Sequence, residues 1–419
     1  MKPPPRACLL AAATGILLAQ QPSDPMDLLV KARVLLAARA KRLPDYTCIQ
    51  TIDRQYFKHP HPPPSCAQIA ALDKDKPRDL QLQATDRLRL EIKVSQGEEI
   101  GTWAGASQFS SRSVFDLIGG GVYGTGTLGA FLVDIFQSGG VTYKYIGEEA
   151  AGPIKLAAYR YRVPVLSSHY QIKAGSHWFP TAFSGSFWID PDSLDLRRVT
   201  VDANEIPPET GSCETATTIE YQKVPAGNGE FLLPLRSSTR MVMMDGTEAR
   251  TTEVYSGCRE YHGEATIRFD DAAAPGEVTA AAAPSDPLPP GLSFSLVLTS
   301  PIDTETAAAG DIATAKLRAP LRIAKEIVVP AGATVEGRIV QMRHWLAEPR
   351  HFTIWLVLEK LEWHGVVLPL YARLSQEPGL PRSDLVAALV FPTDQNRHIV
   401  PVGYQTNWVT VAPPAEEKR

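Results

Sequence analysis

The sequence lacks the patterns that identify several large classes of protein. Its 42 Lys and Arg residues are balanced by 46 Asp and Glu residues, for a formal charge of -4, and the cations are scattered along the chain. A nucleic-acid-binding surface needs clustered cations, so this composition argues against one. The chain also contains no Gly-Lys-Ser/Thr phosphate loop, no Gly-x-Ser-x-Gly or His-Glu-x-x-His motif and no Cys-x-x-Cys pair. We therefore expect a non-catalytic protein with no cofactor and no metal.

Long apolar runs are confined to the start of the chain. Lys2 and Arg6 precede an apolar segment at 7–18, and Ala19 is a small residue at a plausible cleavage point. This arrangement is typical of a secretory signal peptide, and the run is too short to span a bilayer. The sequence predicts a signal at residues 1–19, no transmembrane helix after its removal, and an exported protein that is periplasmic or extracellular.

Cysteine is scarce, and its number is informative. Removing the signal leaves Cys48, Cys66, Cys213 and Cys258. An even count in an exported chain predicts two disulfides, for which three pairings exist. We favour Cys48–Cys66 and Cys213–Cys258, because each pair closes a loop inside one predicted domain.

The stretch from Phe183 to Phe269 carries the clearest structural pattern. It consists of short runs rich in Val, Ile, Thr, Tyr and Phe, separated by turn sequences such as Asp190-Pro191-Asp192 and Asp245-Gly246. Within the run at 198–203, apolar and polar residues alternate. Such runs predict an antiparallel meander with one apolar face and one solvated face.

One amphipathic helix is predicted at Ser23–Leu43, with Ser23 as a possible N-cap. Its apolar face consists of Leu28, Ala32, Leu35, Leu36 and Leu43. Arg39 interrupts this face and would have to extend towards solvent. A helix that covers a sheet is the expected arrangement.

The composition changes abruptly at Asp270. Residues 270–291 are rich in Ala, Pro, Gly and acids without periodicity, which is typical of a linker. Beyond it, alternating strand patterns return and no helix is indicated. The sequence therefore predicts a mainly β protein. We expect an N-terminal open antiparallel half-barrel with a covering helix at 23–269, and a small all-β barrel or sandwich at 292–419.

Three patterns with possible chemistry are better explained structurally. Residues 124–129 fit G-x-G-x-x-G, but a dinucleotide site also needs a parallel βαβ unit, and the following segments are typical of a meander. His169 and His177 bracket a turn, and no acid–His–nucleophile order can be identified around them. The acids at 190–195 stand in a Pro-Asp-Ser context that favours a turn between strands.

A methionine cluster is the best candidate for ligand binding. Met241, Met243 and Met244 lie in one predicted strand. Their flexible, polarizable side chains suit an adaptable apolar surface that holds a lipid or acyl chain, although ordinary core packing is the commoner use of such residues.

The runs FWIDPDSLDLRRVTVDA, IEYQKV, FLLPLRSSTRM and EVYSGCREY resemble the later strands of exported bacterial lipoprotein-carrier (Lol-type) proteins. The resemblance covers residues 180–265, and its specific part is the Trp-Ile-Asp-Pro turn followed by a Leu-Pro strand start. It implies an open antiparallel half-barrel with a helical lid over an apolar cavity, and the helix at 24–43 occupies the place of the first helix in that fold.

The C-terminal part is similar to the periplasmic β-barrel of type IV secretion and conjugation scaffold proteins. The likeness lies in AGDIATAKLRAPL followed by IVVPAGATVEGRI. In that family the barrel is structural and assembles into rings.

Three functional hypotheses follow. The first is a cell-envelope protein that binds a hydrophobic ligand or lipidated partner in its curved sheet, and the second is a structural scaffold with an envelope protein as its partner. The third is a secreted hydrolase, which a polar cleft joining His169 or His177 to a carboxylate would favour. For the first hypothesis, the residues expected to contact a ligand are Met241, Met243, Trp188, Tyr221, Leu35 and Leu36.

Overall fold

The computed structural model describes most of the chain after the predicted signal. The described residues are 24–42, 45–59, 64–71, 79–95, 98–106, 109, 114–118, 123–124, 126–226, 229–261, 287–323, 326–375 and 385–414. The predicted signal at 1–19 and most of the predicted linker lie outside these ranges. Among the helices of the described part, none is long and apolar enough to cross a membrane.

The protein is mainly β, as predicted. Its helices are α1 (Pro25–Arg42), α2 (Cys66–Ala71), α3 (Val114–Leu117) and α4 (Ala130–Phe136), with 3-10 turns at Val165–Ser167 and Pro208–Thr210. The strands up to residue 261 are β1 (Tyr46–Lys58), β2 (Gln81–Ser95), β3 (Glu98–Trp103), β4 (Thr142–Ala151), β5 (Ile154–Val163), β6 (Gln171–Ala174), β7 (His177–Pro180), β8 (Ala182–Ile189), β9 (Leu196–Asn204), β10 (Ser212–Ala226), β11 (Gly229–Met243) and β12 (Thr247–Glu260).

Only strands follow beyond residue 287 in the described ranges. They are β13 (Ser293–Leu298), β14 (Ile302–Asp303), β15 (Ile312–Leu317), β16 (Leu321–Ile323), β17 (Glu326–Val329), β18 (Thr334–Trp345), β19 (His351–Trp363), β20 (Val366–Pro369), β21 (Ala372–Leu374), β22 (Ala387–Pro392), β23 (Ile399–Val400) and β24 (Gln405–Thr410).

The N-terminal strands form an antiparallel sheet in the order β4-β5-β8-β9-β10-β11-β12-β1-β2. The meander predicted from Phe183 onward is confirmed as β8 to β12, since each of these strands pairs with the next. Asp190 shapes the first turn, because its Oδ1 accepts the backbone N–H groups of Asp192 and Ser193 at 3.1 and 3.3 Å. Asp190 therefore serves a turn, as predicted, whereas the carboxylate of Asp195 pairs with Arg39 and Lys223.

Helix α1 packs on one half of this sheet. Leu28, Leu29, Ala32 and Leu36 are buried with residues of β5, β8, β9 and β10, whereas Leu35 remains partly exposed. Asp24 caps the helix by accepting the N–H of Met26. Arg39 does not extend to solvent as we expected, because it forms an ion pair with the buried Asp195 at 2.6 Å.

Two disulfides are present, as predicted, but the predicted pairing is wrong. Cys48 is bonded to Cys258, and Cys66 is bonded to Cys213. Strands β1 and β12 are antiparallel neighbours, so their cysteines face each other across 210 residues of chain. Cys66 begins α2, which packs on β10 beside Cys213. The argument from loops closed inside one predicted domain failed because all four cysteines lie in the domain predicted at 23–269, where strand pairing decides which of them meet.

The C-terminal strands pair in the order β22-β19-β18-β15-β13-β24-β21. One face of this sheet forms a single core that includes Leu296, Val335, Ile354 and Trp408, so the sheet must curve around it. Within the described residues the strands do not close into a barrel.

The two parts of the chain share one sheet. The second edge of β2 pairs with β3 along one half and with β18 along the other, where Asp86 lies opposite Arg343. Asp86 is buried and accepts two hydrogen bonds from Arg54, at 2.6 and 2.9 Å, and one from Arg343 at 3.1 Å. A buried carboxylate is tolerated only with such partners, so this cluster fixes the register of the joint.

Candidate functional site

A cavity of about 1070 Å³ lies against one face of the N-terminal sheet. Ligand sites usually fall between about 300 and 1,000 Å³, so this space is large enough for a sizeable molecule. Two parts enclose it. The cavity floor consists of residues of β1, β10, β11 and β12, with Gln83 of β2 at its margin. The roof consists of the described residues of 114–134 together with residues 169–178.

The cavity floor combines hydroxyls with thioethers. Thr215 and Thr217 of β10 lie beside Met241 and Thr239 of β11, and Met243 follows at the end of that strand. The Thr217 and Thr239 hydroxyls hydrogen-bond each other at 3.0 Å. These side chains are short or flexible, so they leave open the space above them.

The roof is aromatic. The ring of Phe115 stands edge-on to Tyr123 at 5.5 Å and to Trp178 at 5.1 Å, and Phe131 meets Tyr170 at 5.5 Å. Such edge-to-face pairs are favourable and hold the rings in defined orientations. The roof thus presents a preformed apolar surface to the cavity.

A buried carboxylate on the cavity wall anchors the glycine-rich loop. Both oxygens of Glu99 accept the N–H of Gly126, at 3.1 and 3.0 Å, and Oε1 also accepts the N–H of Leu128 at 3.0 Å. Removal from water raises the pKa of Glu99 to about 7. The G-x-G-x-x-G pattern therefore binds an internal carboxylate with its backbone, as a phosphate would be bound elsewhere, and α4 follows it without a parallel strand.

A polar network joins the roof to the sheet beneath it. Oε2 of the buried Glu253 accepts hydrogen bonds from Gln50 (3.1 Å), Ser237 (2.7 Å) and Tyr255 (2.7 Å). Thr127 of the roof hydrogen-bonds Tyr255 at 2.5 Å. Desolvation raises the pKa of the Glu253 carboxyl even though all three donors favour its charged form.

His169 and Asp134 form a second polar contact in the roof. The Nδ1 atom of His169 lies 2.6 Å from Oδ1 of Asp134, and the backbone N–H of His169 donates to Oδ2 at 2.8 Å. The Asp134 side chain is buried, whereas the imidazole is largely exposed, and both residues line the cavity. This pair ties the segment after β5 to α4.

The residues predicted to contact a ligand lie in three places: the cavity, the core under α1 and a small separate cluster. Met241 and Met243 line the cavity. Tyr221 and Leu36 are buried in the core under α1, and Leu35 lies on the same helix. Trp188 packs in a small separate cluster, where its Nε1–H donates to Glu149 at 2.6 Å. Their roles in binding remain predictions, and only the two methionines are placed to contact a molecule in the cavity.

The sequence patterns did not predict that the segment around 115–131 covers the cavity. The region 110–140 has a Gly- and Ser-rich composition, and the predicted lid was the first helix, but α1 contributes no residue to the cavity lining. The aromatic residues Phe115, Tyr123 and Phe131, spaced among the glycines, are the signal that could have identified a covering segment.

No group of three or more His, Cys, Asp or Glu side chains in the described part of the chain is arranged to hold a metal ion.

No protein-family model matches this chain, and no curated protein sequence matches it. Three solved structures are similar to it. The first is a LolA superfamily protein from Nitrosomonas europaea, with 11% identity and a TM-score of 0.27 over 57% of this chain and 94% of that chain. The second is a putative outer membrane lipoprotein-sorting protein domain from Vibrio parahaemolyticus, with 10% identity and a TM-score of 0.26 over 59% of this chain and 97% of that chain. The third is a DUF1329 family protein from Desulfovibrio piger, with 10% identity and a TM-score of 0.27 over 59% of this chain and 98% of that chain. Two of these three descriptions name the LolA superfamily or lipoprotein sorting, but similarities with such TM-scores carry no conclusion about the family or function of this chain.

Proposed function

We propose that this protein is a non-catalytic carrier of the cell envelope that binds an apolar ligand in its cavity. The ligand would be the acyl chain of a lipid or of a lipidated protein. The observation that carries the proposal is the cavity of about 1070 Å³, which the side chains of the described residues leave open between the aromatic roof and the two floor methionines. Disulfides and the predicted signal support an exported protein.

Burial of the acyl chain would drive binding. Each methylene group transferred from water to an apolar wall contributes about 0.8 kcal/mol. Ten buried methylenes would thus contribute roughly 8 kcal/mol before the cost of association is subtracted. Met241 and Met243 suit this role because an unbranched thioether adapts to chains of different length.

A hydrolase is the second candidate, and the His169–Asp134 contact at the cavity favours it. In a catalytic triad the carboxylate orients the histidine, and the other ring nitrogen activates a hydroxyl or thiol. Among the described residues, no hydroxyl or thiol hydrogen-bonds the ring of His169. We therefore interpret the pair as a structural contact of the roof, and His169→Ala should leave any hydrolysis of nitrophenyl esters at the level of the unmodified protein.

A scaffold role remains the third hypothesis. It requires self-association or a partner on the C-terminal sheet, which size-exclusion chromatography of the full chain with light scattering would detect.

The carrier proposal is tested by filling the cavity. Ala249 is buried on β12 and lines the cavity. We expect Ala249→Phe to reduce uptake of a fluorescent fatty acid at least tenfold with little loss of stability, because the new ring enters open space. Ala150→Phe, at an exposed position of β4, is the matched control and should bind normally. The proposal is wrong if the unmodified protein neither takes up the probe nor carries lipid detectable by mass spectrometry.

A further inference from the structure

The carboxylates that line the cavity already have partners within the protein. Glu99 accepts backbone N–H groups of the roof, and Asp134 contacts His169. Glu248, which is buried, accepts the Nε–H of Arg250 at 2.7 Å. A cationic ligand group would have to compete with these contacts, so the cavity offers it no ready counter-charge.

Two lysines of the cavity lining, unlike these carboxylates, have no oppositely charged partner close by among the described residues. Lys58 and Lys173 both line the cavity, and neither has a carboxylate within 4.0 Å in the described part of the chain. Lys58 is the last residue of β1 and is exposed. Its charge interacts electrostatically with Asp245. Asp245 itself accepts two hydrogen bonds from Thr247. Both of these bonds are accepted by Oδ1 of Asp245, and its carboxylate forms no ion pair with Lys58 within the described ranges.

Lys173 belongs to the roof and lies beside two of its aromatic rings. Its ammonium lies 5.2 Å from the centre of the Phe115 ring and 5.4 Å from that of Trp178. Contact with two ring faces draws a cation towards the aromatic groups and away from bulk water. An ammonium placed in this way next to an apolar wall can meet the polar end of a ligand whose apolar part lies on that wall.

We propose that the ligand of this cavity is an anionic amphiphile, with its apolar chain between the roof and the floor methionines and its anionic head at one of the two lining lysines, Lys58 or Lys173. This inference rests on the proposed carrier function and adds the chemistry of the head. A carboxylate of a free fatty acid and a phosphate of a phospholipid share that chemistry, since both accept charge-assisted hydrogen bonds from ammonium groups.

Four single-chain probes of equal length separate the possibilities in binding titrations with the full chain. Palmitate and palmitoyl lysophosphatidylglycerol carry anionic heads, hexadecanol is neutral, and palmitoyl lysophosphatidylcholine is zwitterionic. We expect both anionic probes to bind about tenfold more tightly than hexadecanol, and zwitterionic binding to be close to neutral binding. Tighter binding of palmitate would identify a free fatty acid as the source, and tighter binding of lysophosphatidylglycerol would identify a phospholipid.

The two lysines are tested separately. Either Lys58→Gln or Lys173→Gln should weaken the binding of the anionic probes about tenfold and leave hexadecanol binding unchanged, since only the charged contact is lost. The variant with this effect identifies the lysine that binds the head, and the inference is wrong if neither variant has it. Lys144→Gln, at an exposed position of β4 outside the cavity lining, is the matched control and should change nothing.

Two further results would overturn the inference. Equal affinity of the unmodified protein for anionic and neutral probes would show that the head charge is not recognised, while the carrier function would stand. Equal weakening of anionic and neutral binding in the lysine variants would show that the lysines act by shape alone. If none of the four probes binds, the carrier function itself fails.

Discussion

Strand β10 passes through two different environments on the same face. Ile219 and Tyr221 are buried in the core beneath α1, whereas Thr215 and Thr217 line the cavity. Residues two apart on a strand point to the same side and lie about 7 Å from each other. A sheet face is therefore filled or hollow according to what covers it, and this can change within one strand.

The filled half is held by large aromatic side chains. Phe187 is fully buried, its ring stacks on Tyr159 at 5.2 Å, and Phe136 of α4 meets it edge-on at 5.0 Å. The hollow half has small and flexible groups on its floor. Its roof is attached at its edges by polar contacts, chiefly through Glu99 and Asp134. The comparison suggests that close packing stabilises the fold in one half, while polar anchors keep a space open in the other.

The largest effect should come from truncating the filled half. Phe187→Ala removes a buried ring and should lower the free energy of unfolding by about 3 to 5 kcal/mol. Met241→Ala on the cavity floor should cost less than about 2 kcal/mol, because its side chain already borders open space and leaves no new enclosed void. Chemical denaturation of both variants measures the difference, and equal losses would contradict the distinction between the halves.

A smaller effect on the free energy of unfolding should come from Glu99, which anchors the roof, and this effect depends on pH. The carboxyl of Glu99 has its pKa raised from 4.5 to about 7, so between these values the folded protein binds more protons than the unfolded chain. Stability should therefore fall as the pH rises from about 4.5 to about 7, by on the order of 3 kcal/mol from this group.

Glu99→Gln tests this dependence, because an amide does not titrate. The variant should show a decrease in unfolding free energy between pH 4.5 and 7.5 that is smaller than in the unmodified protein by on the order of 3 kcal/mol. Part of the remaining decrease should come from Glu253, whose pKa is also raised by burial. Asp53→Asn, in an exposed ion pair with Arg87, is a suitable control that keeps the decrease. An unchanged pH profile in Glu99→Gln would mean that Glu99 is not the titrating group.

The smallest effect on stability should come from removing a hydroxyl group from the cavity floor. Thr217→Val keeps the shape of the side chain and removes its hydrogen bond to Thr239. We expect a change in stability within about 1 kcal/mol and a modest gain in fatty-acid affinity, since the floor becomes more apolar. Calorimetric titration with palmitate measures the gain. A loss of affinity would show that the ligand uses the floor hydroxyls.

Local patterns in the sequence were enough to predict the strands. Alternation at 198–203, the turn at Asp190 and the helix near residues 24–42 depend on residues within a few positions of one another, and the structure contains all three. The export of the chain and its division into domains remain predictions.

Features that depend on distant segments could not be predicted in this way. The cysteine pairs follow from strands separated by 210 and 147 residues. In the sequence, Arg39 interrupts the apolar face of α1 without an evident reason. The structure shows that it forms an ion pair with Asp195, which is far along the chain.

The sequence by itself determined a mainly β, disulfide-bonded protein with one covering helix and a methionine pair suited to an apolar surface. Only the tertiary structure decided that the helix fills one half of the sheet and that a glycine-rich segment roofs the other. The physical reason is that alternation is a property of neighbouring residues. An empty volume depends instead on the positions of β1, β10, β11, β12 and the roof together.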